Sequence, residues 1–252
     1  KLIDLAAFSG CNYVKFQKRT PDVCVPDSQK DIIKKNTPWG DISYIDYKHK
    51  IEFGKNEYDI IDKYCKSQKI KWIASAWDKD SVNFLANYSD MVKIPSPHLT
   101  NIDLLRHTKN TFSKRIISTG MSEETQIIDA CEIIDPDVIM HTLSTYPSPI
   151  DELNLNYINR LKILFPKKQI GYSGHEFGLV TTISTVVLGV SWIERHITLD
   201  RNMWGSDQLS SIEPSGLFKL VKGIRILEAS LGSDDPRKIS PSENVKLESL
   251  RG

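Results

Sequence analysis

The sequence lacks the features typical of secreted, membrane-spanning and nucleic-acid-binding proteins. Its four cysteines, Cys11, Cys24, Cys65 and Cys131, form no CxxC or zinc-ribbon spacing, so we read them as free thiols in a reducing cytoplasm. No apolar run reaches the ~18–20 residues of a membrane span, and no signal peptide is visible. The 33 basic and 32 acidic residues leave a net charge of +1, which argues against nucleic acid or an anionic membrane as a partner. We therefore expect a cytoplasmic protein.

Short apolar runs alternate with amphipathic stretches along the 252 residues. The strand-like runs are residues 12–17, 71–76, 91–96, 115–119, 137–143, 169–173 and 191–196. The helix-like stretches are residues 58–67, 79–87, 102–109, 123–134, 151–164, 179–188 and 217–231. This alternation predicts βα units that build a parallel sheet.

Seven strand-like runs are one short of a closed barrel. Residues 1–9 read as the first helix, so the first strand of a (β/α)8 barrel would precede residue 1. We prefer this TIM barrel to an open doubly wound sheet because polar residues end nearly every strand rather than clustering at one switch point.

Two segments interrupt the alternation within what we read as one domain, residues 1–252. Residues 18–53 form a long excursion that contains Pro21, Pro26 and Pro38. A loop this long is typically functional, which predicts a lid or a substrate-binding loop; a surface excursion that only supports oligomerisation stays open. Residues 232–252 read as a polar terminal tail.

Two histidines end neighbouring strand-like runs. His175 closes Gly-Tyr-Ser-Gly-His, and His196 closes Ile-Glu-Arg-His. A lone histidine at a strand end is usually a hydrogen-bonded core residue, but two on adjacent strands beside Glu194 can hold a divalent metal. Water and substrate would complete such an open site, which suits Lewis-acid chemistry.

Two lysines lie inside apolar runs, Lys15 and Lys93. A buried ammonium is costly unless it meets an anion, and Gln17 shares the face of Lys15. Serines recur at the strand ends, at Ser75, Ser96, Ser118, Ser144 and Ser173. Together these groups predict a receptor for phosphate and carboxylate groups, with structural ion pairs as the alternative for each lysine alone.

The segment after the last strand offers further polar and aromatic groups. Asp207 can bind a sugar hydroxyl or cap a turn, and Trp204 can stack on a sugar face or simply pack.

Several short motifs follow one another in the order found in one known family. They are KFQK at 15–18, ISTGM at 117–121, YP at 146–147, IGYSGHE at 170–176, ERHITLD at 194–200, GSD at 205–207 and SIEP at 211–214. These motifs resemble the sialic acid synthases over almost the whole chain. WG at 39–40 and HKIEF at 49–53 are similar to the branch that makes N-acetylneuraminate or its 9-phosphate.

The resemblance implies a (β/α)8 transferase that condenses phosphoenolpyruvate with N-acetylmannosamine or its 6-phosphate, giving a sialic acid and phosphate. It implies a divalent metal, Mn²⁺ with Mg²⁺ or Co²⁺ as substitutes, held by His175 and His196. The positions that match phosphoenolpyruvate contacts are Lys15, Ser75, Lys93, Ser96, Ser118, Ser144 and Ser173. Those that match amino-sugar contacts are Gln17, Tyr146 and Asp207. We expect Glu194, beside the metal, to handle water or a proton, and we count it with Lys15 and both histidines as catalytic.

The sequence departs from the family pattern in three places. The family's first strand and its C-terminal antifreeze-like domain lie outside residues 1–252, and the usual Gly-Ser-Gly-acidic turn is replaced by PSPH at 95–98.

Several alternatives therefore stay open. They are the same chemistry on the precursors of legionaminic, pseudaminic or deaminated sialic acids, a non-catalytic sugar-phosphate-binding barrel, and a barrel hydrolase that uses the two histidines. The native metal, a homodimer, and a phosphate on the acceptor stay open too. The Lys18–Arg19 pair could bind such a phosphate or form a solvated basic corner.

Overall fold

A computed structural model describes residues 1–251, and they form nine strands and twelve α-helices. The strands are β1 Tyr13–Lys18, β2 Ile33–Thr37, β3 Gly40–Ser43, β4 Lys71–Ala76, β5 Met91–Ile94, β6 Lys114–Ser118, β7 Val138–Thr142, β8 Gln169–Gly174 and β9 Trp192–Arg195. The helices are α1 Leu2–Phe8, α2 Pro21–Cys24, α3 Asp27–Lys30, α4 Tyr44–Ile51, α5 Lys55–Ser67, α6 Lys79–Leu85, α7 Ile102–Thr111, α8 Glu124–Ile134, α9 Tyr157–Leu164, α10 Val180–Ser184, α11 Pro214–Leu231 and α12 Pro241–Arg251.

Seven strands form one parallel sheet in the order β1-β4-β5-β6-β7-β8-β9. The sheet curls until its edge strands approach each other. Lys15 on β1 forms an ion pair with Glu194 on β9, and the rings of Tyr13 and Trp192 lie 5.4 Å apart. This is a (β/α)8 barrel that lacks one strand, with α1 preceding β1, so the predicted barrel is confirmed.

Side chains that point into the barrel divide into an apolar floor and a polar rim. Ile73, Ile116, Val138 and Met140 form a buried cluster at the amino-terminal end. Gly171 belongs to this layer. A Cβ there would overlap Met140 Sδ and lie 2.9 Å from Cβ and the carbonyl oxygen of Trp192, so only glycine leaves room for these neighbours. Two residues further along each strand the inward side chains become polar, because alternation keeps them on the same face.

The opposite face of the sheet packs on the helices. Its buried residues are Val14, Trp72, Ala74, Val92, Ile94, Ile117, Ile139, Ile170 and Tyr172. Helix starts are capped locally: the Asp78 side chain accepts the backbone N–H of Ser81 at the start of α6, at 2.7 Å. Asp78 also accepts the backbone N–H of Thr20 at 2.6 Å, which fastens the start of the long excursion to the barrel.

The excursion at residues 18–53 is more structured than a loop. It contains α2, α3, the antiparallel hairpin β2–β3 and α4. Its aromatic side chains pack on the segment after β9, with Tyr47 and Trp204 ring centroids 5.3 Å apart. Helical periodicity needs several turns to be recognised, whereas α2 and α3 have four residues each.

Other element boundaries also differ from expectation. The predicted helix at 151–164 becomes a 3₁₀ turn at Ile150–Glu152 followed by α9. The predicted helix at 179–188 is only α10, and the tail contains the exposed helix α12.

All four cysteines are free thiols, as predicted. Across residues 1–251 no helix has both the length and the apolar character needed to cross a membrane.

Candidate active site

One cavity of about 290 Å³ opens at the carboxyl ends of the barrel strands. Every residue predicted for the site lines it: Lys15, Gln17, Ser75, Lys93, Ser96, Ser118, Ser144, Tyr146, Ser173, His175, Glu194, His196 and Asp207. The carboxyl ends of barrel strands are where such folds place catalytic residues. The fold therefore brings together the whole predicted set, while the roles of its members stay predictions.

Serine hydroxyls converge on the small space beside Gly120. The Gly120 N–H donates to Ser96 Oγ at 3.1 Å, and a Cβ on Gly120 would overlap the Ser144 hydroxyl and lie 2.9 Å from Ser96 Oγ. Ser118 Oγ and Ser144 Oγ are buried and have no hydrogen-bond partner among residues 1–251. Buried hydroxyls are normally paired, so these two are available to an oxygen-rich ligand.

Two lysines share one carboxylate at the floor of this space. Glu194 Oε1 accepts from Lys93 Nζ at 2.7 Å and from Ser173 Oγ at 3.1 Å, and it also pairs with Lys15. Two ammonium groups against one carboxylate leave an excess positive charge beside the serines. The arrangement suits a phosphate or a carboxylate of a ligand.

Burial and charge act in opposite directions on the pKa values of Lys93 and Glu194. Burial lowers the pKa of Lys93 to about 7, although Glu194 favours its charged form. Burial raises the pKa of Glu194, but Lys15 and Lys93 together hold it well below its usual value. Glu194 is therefore ionised at neutral pH and serves as counter-ion to the lysines, a role that the sequence interpretation did not include.

The two strand-end histidines lie side by side, with ring centroids 5.2 Å apart. His175 Nδ1 donates to the Leu143 carbonyl at 2.7 Å, which leaves its Nε2 without a proton. Burial lowers the pKa of His175, and it lowers that of His196 to about 4. Both imidazoles are therefore neutral at pH 7 and keep a lone pair for a metal.

The donor set fits a divalent ion with open coordination positions. A backbone carbonyl that fixes a ligating imidazole is a typical outer contact of a metal site. Residues 1–251 contain no group of three or more histidine, cysteine, aspartate or glutamate side chains placed to hold one ion. The two imidazoles are thus the protein ligands available here, and the remaining positions would fall to water or substrate.

A buried ion pair links the backbones that carry the histidines. Glu176 follows His175, Arg195 precedes His196, and Arg195 Nη1 lies 3.3 Å from Glu176 Oε1 with the two side chains 2% and 0% exposed. Tyr172 and two threonines also donate to Glu176. The network therefore fixes the separation of the two imidazoles.

Asp207 and Tyr146 lie beside the two imidazoles in the cavity lining. Asp207 Oδ2 lies 3.6 Å from His196 Nδ1, and the Tyr146 ring centroid lies 4.2 Å from that of His175. Trp204 lies outside the cavity lining and contacts Trp39 and Tyr47 edge-on. Trp204 therefore packs against the excursion and holds the loop that carries Asp207.

The sequence interpretation missed several lining residues, notably Trp77, Met121 and Thr142. It left the Lys18–Arg19 pair open between a phosphate contact and a solvated corner, and alternation from Lys15 through Gln17 would have placed Arg19 on the cavity side. Trp77 and Met121 follow strand ends in turns, where side-chain direction has no simple period.

Fold and site define a parallel α/β barrel with an anion-receptive cavity and an imidazole pair at the carboxyl ends of its strands. Residues 2–236 match the NeuB family, and the chain belongs to that family. It is 32% identical to N,N'-diacetyllegionaminic acid synthase of Campylobacter jejuni, over 100% of this chain and 77% of that protein. It is 31% identical to human N-acetylneuraminate-9-phosphate synthase, over 99% of this chain and 71% of that protein.

A solved structure of the N-acetylneuraminic acid (sialic acid) synthetase from Leptospira borgpetersenii, in complex with citrate, superposes with a TM-score of 0.84. It is 27% identical and covers 99% of this chain and 85% of its own. These relatives are sugar-acid synthases.

Proposed function

We propose that this chain condenses phosphoenolpyruvate with an open-chain N-acetylated amino sugar, giving a nonulosonic acid and inorganic phosphate with the help of a divalent metal. The observation that carries the proposal is one cavity in which a lysine pair and unpaired serine hydroxyls lie beside two neutral imidazoles. The first group suits a phosphorylated carboxylate, and the second suits a metal that polarises a carbonyl. The names of the relatives support a sugar acid as product.

In this proposal the protein acts mainly by positioning. Lys15, Lys93 and the serines hold the phosphate and carboxylate so that C3 of phosphoenolpyruvate faces the acceptor aldehyde. A divalent ion on His175 and His196, Mn²⁺ first with Mg²⁺ or Co²⁺ as substitutes, would supply polarisation of the aldehyde oxygen. The new bond joins C3 to the aldehyde carbon, water adds at C2, and the C2–O bond to phosphate breaks.

Glu194 takes a specific place in this scheme. Its carboxylate is ionised between Lys15 and Lys93, so it can accept a hydrogen bond from the water that adds at C2. Ser173 donates to the same oxygen at 3.1 Å, which orients the carboxylate. The two lysines also lower the basicity of Glu194, so its proposed role is to position this water rather than to act as a strong base.

Gln17, Tyr146 and Asp207 are proposed to bind the amino sugar. All three line the cavity. Tyr146 lies beside His175 and Asp207 beside His196, so a sugar held there would have its aldehyde close to the imidazoles. The relatives' names differ in their sugar, so we propose N-acetylmannosamine or its 6-phosphate as acceptor, with the legionaminic and pseudaminic precursors as the next candidates. The free thiols support a cytoplasmic location.

The test is consumption of phosphoenolpyruvate by the purified chain with Mn²⁺ and each acceptor, compared with no acceptor and with metal removed. We expect turnover only with an acceptor and a metal, and a loss of more than about 100-fold in His175→Ala. His107→Ala is the matched control, because His107 lies on α7 outside the cavity lining and contacts Asn83 at the surface.

Other outcomes have distinct meanings. Phosphate release without an acceptor would indicate a hydrolase. Metal and phosphoenolpyruvate binding without turnover on any acceptor would indicate a binding protein.

A further inference from the structure

Arg19 lies at the mouth of the cavity and differs from its neighbour Lys18 in what it contacts. Both follow Gln17 at the end of β1, and the sequence presents them as one basic pair. In the fold they point in different directions. Only Arg19 lines the cavity.

Lys18 is fully engaged in structure. Its Nζ lies 2.7 Å from Glu52 Oε1, and it donates to the carbonyl oxygens of Phe53 at 3.0 Å and Arg19 at 3.1 Å. These three bonds fasten the end of the excursion to the end of β1. Lys18 is therefore not available to a ligand.

Arg19 has no ionic partner of its own. Its guanidinium donates to Gln17 Oε1 and lies 4.0 Å above the Trp77 ring. Within residues 1–251 no carboxylate reaches ion-pair distance from it. Two carboxylates act on it from further away: Glu52, which Lys18 already neutralises, and Asp207, which faces His196.

A half-buried guanidinium without a counter-ion is unusual, because burying an unpaired charge is costly. The Trp77 face fixes its plane, and most of its N–H groups remain free. A guanidinium presented in this way matches a phosphate better than a hydroxyl, since it can donate two parallel hydrogen bonds.

The position of Arg19 along β1 indicates which substrate carries that phosphate. Lys15, Gln17 and Arg19 alternate onto the cavity side, and successive inward positions are about 6.6 Å apart along a strand. Lys15 forms an ion pair with Glu194. Gln17 lies at the proposed sugar position, and Arg19 lies furthest along the strand. Since the aldehyde end must face the imidazoles, Arg19 meets the far end of the sugar chain.

We propose that Arg19 binds a phosphate on the terminal carbon of the acceptor, so that this chain prefers a phosphorylated amino sugar. This inference rests on the proposed condensation. It also separates the Lys18–Arg19 pair into a structural residue and a specificity residue.

The experiment compares N-acetylmannosamine with its 6-phosphate as acceptors for the wild-type chain, Arg19→Gln and Arg19→Lys, and measures kcat/KM for each. We expect wild type to prefer the phosphorylated sugar, and Arg19→Gln to lower that preference at least tenfold through KM. Arg19→Lys should retain part of the preference because it keeps the charge. Arg106→Gln is the matched control, since Arg106 is exposed on α7 away from the cavity.

Direct binding separates this inference from the proposed function. Calorimetry with N-acetylmannosamine 6-phosphate on the metal-loaded chain needs no turnover. Binding that Arg19→Gln weakens at least tenfold, without turnover on either sugar, would support the inference and overturn the condensation.

Three results would overturn the inference while leaving the condensation in place. They are a wild-type preference for the unphosphorylated sugar, an unchanged preference in Arg19→Gln, and an Arg19→Gln defect confined to the KM for phosphoenolpyruvate.

Discussion

At the scale of single residues, the missing side chain of Gly120 shapes the space between the serine hydroxyls. A methyl group there would overlap the Ser144 hydroxyl and press on Ser96 Oγ. We predict that Gly120→Ala raises the KM for phosphoenolpyruvate at least tenfold, because the methyl group occupies the volume proposed for its phosphate or carboxylate. Steady-state kinetics at saturating acceptor measures this.

The control for that substitution is Gly54→Ala. Gly54 has φ −92°, and an added Cβ would meet only the flexible Glu57 side chain, at 3.2 Å. An unchanged KM in Gly120→Ala, with normal unfolding behaviour, would show that these serines do not bind phosphoenolpyruvate.

The buried Lys93 should make anion binding in the cavity depend on pH. Burial lowers its pKa to about 7, so the ammonium loses its proton as the pH rises through that value, and anion binding weakens. We predict that sulfate affinity falls by up to about tenfold per pH unit above pH ~7. Sulfate is the probe because its own charge stays constant over this range, and calorimetry from about pH 6 to pH 9 provides the measurement.

Lys93→Met should bind sulfate weakly and with little pH dependence. A wild-type affinity that stays constant over the same range would show that Lys93 keeps its proton or does not face the anion.

Alternation along strands made most site residues predictable. A lysine or serine two residues after an inward apolar residue lies on the same inward face, so it can be recognised as a site residue from the sequence. Lys15, Ser75 and Ser118 follow this pattern. The shared role of Glu194 as counter-ion was not predictable, since it depends on β1 and β9 approaching across the open side of the sheet.

At the scale of elements, the ion pair between Glu176 and Arg195 joins the ends of β8 and β9. Removing one partner of a buried pair leaves an uncompensated charge. We predict that Arg195→Met lowers the free energy of unfolding by about 3–5 kcal/mol, measured by urea titration. The same variant should bind Mn²⁺ more weakly, because the two imidazoles lose their fixed separation.

Lys55→Met provides the contrast. Its partner Asp59 lies one turn further on α5, and the lysine side chain is 74% exposed, so the expected change is within about 0.5 kcal/mol. Equal effects in the two variants would mean that the buried pair contributes no more than a surface pair.

The excursion shows why element prediction failed where it did. Four-residue helices and a short hairpin carry no clear period, and their positions depend on tertiary contacts such as Tyr47 with Trp204 and Lys18 with Glu52. The prediction of a lid or substrate-binding loop stays a prediction. The contacts do show that the excursion holds the loop of Asp207.

At the scale of the whole molecule, the barrel was predictable because two independent patterns agreed. The βα alternation requires a parallel sheet, and polar residues at most strand ends require a common rim. The sheet has seven strands, and it stays open between its edge strands, β9 and β1. Helix lengths were less predictable, because packing decides where the short helices after β7 and β8 begin and end.

Buried histidines distributed over the barrel predict how the whole fold responds to acid. Burial lowers the pKa of His98, His141, His175 and His196, so the unfolded chain binds more protons than the native one below pH ~6.5. The free energy of unfolding of the metal-free chain should therefore fall as the pH drops from about 7 to about 4. Lys93 adds slope only close to its pKa of about 7, because below pH ~6 it is protonated in both states.

A second loss should begin below pH ~4.5, where Glu176 and Glu194, whose pKa values are lowered in the fold, start to bind protons in the unfolded chain. Urea titrations at several pH values measure both stages. His196→Gln should reduce the slope of stability against pH in the first stage by up to about 1.4 kcal/mol per pH unit and leave the slope of the second stage unchanged. Glu176→Gln should reduce only the slope of the second stage. A stability that stays constant from pH ~7 to pH ~5 would contradict the neutral, buried state of these imidazoles, and with it the lone pairs on which the proposed metal site depends.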